Sequence, residues 1–75
     1  MRRAGRVVGT AQNVAVVRAT DEEYPAVGTE LVDEHLESVG EVVDVFGPVE
    51  QPYLAVSPPS DRQVAALVGD VVYAR

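Results

Sequence analysis

The chain has 75 residues, with twelve carboxylates against six arginines for a formal charge of -6, and it contains no lysine and no cysteine. A domain of this length buries only about 60% of the surface its unfolded chain exposes, so its core is thin. The composition excludes a disulfide staple, a cysteine-ligated zinc site and a thiol nucleophile, and the acidic balance speaks against an autonomous nucleic-acid binder, since polynucleotides are held by basic groups that displace counterions.

No apolar run approaches the roughly 18 residues of a membrane helix. The opening MRRAGRVVGTA has arginines but turns polar where a signal peptide would carry its apolar region. A cytoplasmic protein without membrane contact is the expectation.

Valine dominates the sequence, and β-branched residues suit pleated strands. The first strand-length piece is Arg6–Thr10, closed by Gln12-Asn13, and Val14–Ala19 follows. An acidic loop at Asp21–Glu23, with Pro25 and Gly28, leads into Thr29–Val32. Asp33–Glu37 separates that piece from Val39–Phe46, Gly47-Pro48 from Tyr53–Ser57, and Pro58-Pro59 ends the run. Ser60-Asp61-Arg62-Gln63 has capping-box spacing before Val64–Val68, and Gly69 stands where a helix would stop, so a short helical turn is predicted before the last strand, Val71–Ala74. Many short strands at this spacing predict an all-β fold. For so short a chain the economical form is a small closed six-stranded antiparallel β-barrel over residues 1–75, because closure removes exposed edges.

The strands are apolar on too many sides. Strict alternation puts Val39, Glu41, Val43 and Val45 on one face of the fourth piece and Gly40, Val42, Asp44 and Phe46 on the other, and neither face is polar throughout. One face fills the barrel. The other asks for cover, and an exposed apolar patch on a small protein marks an interaction site.

Catalysis finds little support. Ser38, Ser57 and Ser60 have only His35 as an imidazole partner, and His35 lies in the acidic turn DEHLE, which reads as solvated surface. The pairs Asp33-Glu34 and Glu22-Glu23 lack a calcium-loop pattern, the glycines are scattered singly, and Tyr24, Phe46, Tyr53 and Tyr73 are too far apart in sequence to suggest a platform for bases. A non-enzyme without metal or cofactor is expected.

The most informative stretch is Gly40–Tyr53, GEVVDVFGPVEQPY. Gly47 supplies backbone freedom, Pro48 fixes φ, and Pro52 belongs at an edge, a bulge or the start of the strand into Tyr53. A stiff Phe-Gly-Pro corner beside a tyrosine suits apolar anchoring of another protein. The pattern Pro25-x-x-Gly28, then Asp33, then GEVVDVFGPVEQPY, then VGDVVYAR closely resembles the Gar/Naf family of H/ACA ribonucleoprotein proteins, over roughly Arg3 to Arg75.

That resemblance implies a six-stranded barrel of the translation-factor type. It implies a non-catalytic subunit of the RNA-guided pseudouridylation particle, contacting the pseudouridine synthase and reaching the guide RNA only indirectly, with a role in substrate loading and product turnover during rRNA modification. The missing glycine- and arginine-rich tails match the compact archaeal type, and the missing long flanks favour the mature subunit over the assembly factor. Partner-binding residues are expected at Gly40, Val42, Phe46, Gly47, Pro48, Val49, Pro52 and Tyr53. The isolated chain is expected to be monomeric. The alternative is a ribosome-maturation or RNA-binding barrel touching RNA directly, for which the cluster Arg2, Arg3 and Arg6 is the supporting feature. Dense carboxylates, absent lysine and absent isoleucine also fit adaptation to high salt.

Overall fold

The computed structural model describes residues 2–20 and 23–75. Six strands, β1 (Arg2–Ala11), β2 (Val14–Ala19), β3 (Glu30–Val32), β4 (Ser38–Phe46), β5 (Tyr53–Ser57) and β6 (Val71–Ala74), are joined by short connections, with a single 3-10 turn at Val64–Leu67 between β5 and β6. They close into a barrel in the order β1-β2-β5-β4-β3-β6, and every neighbouring pair is antiparallel.

The strand expectations hold with adjustments of length in β1, β3 and β4, the last two by one residue each. β1 starts at Arg2 and not at Arg6, because its first half pairs with β6 (Arg2 opposite Ala74) and its second half with β2 (Ala11 opposite Val14). β1 and β2 meet in a two-residue hairpin whose Gln12 and Asn13 have φ of 49° and 69°, the positive values a type I′ turn requires. The acidic loop expected at Asp21–Glu23 lies partly outside the described residues, at Asp21 and Glu22.

Four register shifts bend this short sheet into a closed wall. They fall between Arg3 and Gly5, between Val7 and Gly9, between Leu31 and Val32, and between Val42 and Asp44. A bulge adds an unpaired residue, kinks the strand and increases its twist. The interior holds Ala4, Val7, Ala15, Val17, Leu31, Val39, Val42, Leu54, Val56 and Val72.

The bulges change the face assignment in β4. Strict alternation places Val42 and Phe46 on one face, but Val42 is fully buried and Phe46 is 44% exposed. Val43 is the extra residue skipped between the pairs Val42–Val56 and Asp44–Ala55. It shifts the phase by one, so Val45 packs against the core while Phe46 points out. The expected split of β4 into two half-apolar faces therefore resolves into one continuous inner face.

The helical turn stands before β6 as expected, with two differences. It is a single 3-10 turn, and Gln63 occupies its N-cap without a side-chain capping bond, so the capping-box spacing from Ser60 is not used. The turn is held by packing: Leu67 is buried in the core cluster, against β1 and β2. Gly69, at φ 97°, reverses the chain into β6.

Candidate protein and RNA contact face

The connection from β4 to β5 forms a protruding corner. Gly47 has φ 90°, and a Cβ added there would meet the Tyr53 ring. Only glycine allows the chain to turn so tightly over that ring. Pro52 stands immediately before β5, where its missing donor costs no ladder bond, and its carbonyl accepts the Ala19 N–H at 3.0 Å. The turn thereby sets Phe46 directly opposite Tyr53, and the rings stack with centroids 5.7 Å apart and planes at 24°.

The eight residues expected at a partner surface divide. Phe46, Gly47, Pro48 and Val49 are exposed, Val49 at 86%, and Tyr53 is half-buried. Phe46, Gly47, Pro48 and Val49, with Tyr24, Val45 and Pro52, line a shallow groove at the corner. Gly40, Val42 and Pro52 are buried. Val42 is core. Gly40, at φ 143°, lies where a Cβ would collide with the Ser57 carbonyl, so it permits close approach of β4 to the chain leaving β5. Of these three only Pro52 adjoins the corner. Gly40 and Val42 lie toward the other end of the β4–β5 pair, beside Ser57 and opposite Val56 respectively, and Val42 was expected to face a partner because a bulge cannot be seen in a period-2 pattern.

The structure also brings together residues that the sequence keeps apart. Arg6 lies opposite Arg18, Arg18 opposite Tyr53, and Tyr53 opposite Phe46. One transverse row thus crosses the outer face of four strands, arginine at one end and stacked aromatics at the other. The expectation that the aromatics are too scattered to form a platform fails for Phe46 and Tyr53. The only signal in the sequence is register, which appears once the strands are paired.

Asp33 anchors the other side. It is buried, accepts the backbone N–H groups of His35 (2.8 Å) and Glu37 (3.1 Å) on Oδ1, and pairs with Arg62 through Oδ2 at 2.9 Å. Burial works to raise its pKa, but the Arg62 hydrogen bond, the Glu37 and His35 N–H bonds and the Arg62 charge outweigh it and hold the carboxyl below its ordinary value. Asp33 is thus spent on structure. His35 extends to Glu34 at 3.7 Å on the exposed surface. Among the described residues no three His, Cys, Asp or Glu side chains gather as a metal site, and no helix there is long and apolar enough to cross a membrane.

Comparisons with known proteins agree with this architecture. No curated protein matches the sequence. Among solved structures, one described as "Structure of the Gar1 domain of NAf1" superposes with a TM-score of 0.75 over 99% of this chain and 85% of the other, at 18% sequence identity, which bears on fold alone. The family model described as "Gar1/Naf1 RNA binding region" matches residues 1–75, the whole length, and the chain belongs to that family.

Proposed function

We propose that the chain is a non-catalytic subunit of an H/ACA guide-RNA pseudouridylation particle in the cytoplasm, that it docks on the pseudouridine synthase through the β4–β5 corner, and that docking promotes substrate loading and product turnover in rRNA modification. Membership of the Gar1/Naf1 family supports the particle. The observation that carries the docking surface is the corner itself, where Phe46 at 44% and Val49 at 86% exposure stand on a turn that Gly47 permits and Pro48 and Pro52 make stiff. A rigid apolar projection loses little entropy on binding and repels water until it is covered.

The test is a calorimetric titration of the synthase with the wild-type chain, Phe46→Ala and Val49→Asp, with circular dichroism to verify the fold. An anchor in this position contributes about 2 kcal/mol or more, so each variant binds the synthase at least about thirtyfold more weakly while the barrel is unchanged. Multiple-turnover modification by the particle should fall with binding. Full affinity for the synthase in both variants would refute the docking surface.

A further inference from the structure

The structure divides the six arginines of this acidic chain into two equal groups. Arg2, Arg62 and Arg75 are neutralised by carboxylates, Glu23 at 2.9 Å, Asp33 at 2.9 Å and Glu30 at 3.4 Å. Among the described residues Arg3, Arg6 and Arg18 form no ion pair, and these three line one groove of about 440 Å³ on the outer face of β1 and β2, with Gly5, Thr20 and Gln51 around them. Asp70, next to the Gly69 that Arg6 contacts, also forms no ion pair with it.

We propose that this groove binds the sugar–phosphate backbone of single-stranded RNA, with Arg3, Arg6 and Arg18 as its phosphate contacts. Arg6 and Arg18 stand directly opposite each other across the β1–β2 pair, where like charges repel and destabilise the ladder. With twelve acids in the chain, a compensating carboxylate is the cheap solution, and among the described residues none takes that place. Both guanidiniums are instead oriented by neutral acceptors. Arg6 Nη1 donates to the Gly69 carbonyl at 2.9 Å and Arg18 Nη2 to Gln51 Oε1 at 2.9 Å, while Gln51 Nε2 donates to the Ala19 carbonyl at 3.3 Å. Such partners fix direction without cancelling charge, and leave N–H groups of each planar fork for an anion. Arg18 continues the row into Tyr53 and Phe46, so the cationic groove opens onto stacked aromatic rings. That pairing of basic track and aromatic face is the arrangement single-stranded nucleic acid uses, and an acidic protein segment has no need of it.

The phosphate contacts lie outside the docking corner, so substitutions at Phe46 and Val49 leave the three arginines in place, and the two readings share only the aromatic pair Phe46–Tyr53. It revises the cluster Arg2, Arg3 and Arg6 that supports the alternative RNA-binding reading of the sequence, because Arg2 is bound by Glu23 and Arg18 takes its place.

The experiment is a titration of the isotope-labelled full chain with a short oligouridylate at low salt, followed by backbone amide NMR. Shifts are expected at Gly5, Arg6, Val8, Arg18 and Thr20, with log affinity falling against log salt with a slope of about -2, as three single-strand phosphate contacts require. The double variant Arg6→Gln/Arg18→Gln should reduce the slope to about -0.7 and weaken binding at least about tenfold, whereas Arg75→Gln leaves both unchanged. Removing a repulsive pair does not threaten the fold, and the variant's own spectrum shows that it is folded. Absence of shifts, shifts centred elsewhere, an equal loss in Arg75→Gln, or tighter binding of oligoglutamate to the same amides would each overturn the proposal.

Discussion

Single residues in this barrel are fixed by backbone geometry more than by chemistry, and Asp33 shows it most clearly. Its carboxylate joins the β3–β4 loop to the segment before the 3-10 turn, through two backbone N–H groups on one oxygen and Arg62 on the other, while Arg62 Nη1 also donates to the Ser38 carbonyl at 2.9 Å. Its folded pKa lies below the ordinary value of 3.8. The stabilisation is therefore complete above pH 3.8 and is lost as pH falls through the lower folded value. Asp33→Asn keeps the acceptor oxygen but not the charge, and should cost about 2 kcal/mol near neutral pH, part of it from Arg62 left without its anion. Denaturant melts should show the gap between wild type and variant closing as the pH drops below that of the free carboxyl. A gap independent of pH would deny Asp33 this part.

At the level of elements, six strands and the turn before the last were readable because valine-rich pieces alternate with strong turn residues, and closure followed from the short length. What the pattern could not reveal were the bulges. Alternation assumes an unbroken period of two, and an extra residue such as Val43 leaves no mark in composition. The division of Gly40–Tyr53 between core and surface was hidden for that reason, as was the meeting of Phe46 with Tyr53 across β4 and β5. The bulge can be tested with paired truncations. Val42→Ala opens a hole in the core and should cost about 2 kcal/mol, while Val43→Ala, on a 45% exposed side chain, should stay within about 0.5 kcal/mol. Equal losses in chemical denaturation would restore strict alternation.

For the molecule as a whole, net charge and charge distribution say different things. The sum of -6 predicts repulsion between carboxylates, so the melting temperature should rise as potassium chloride increases from low to molar concentration. A flat or falling curve would remove salt adaptation as the reason for the acidic composition. The same sum, applied to RNA, overlooks three arginines that form no ion pair among the described residues and gather on one wall. Composition reports how much charge is present, and the fold decides where it is concentrated.

The pairing of Arg2 with Ala74 places both ends of the described chain on the β1–β6 seam, and in the ring of six strands that seam is diametrically opposite the β4–β5 boundary. A tag, dye or surface tether attached at either end therefore hangs from the rear wall of the barrel. A chain immobilised in that way presents its Phe46–Val49 projection outward, free for capture.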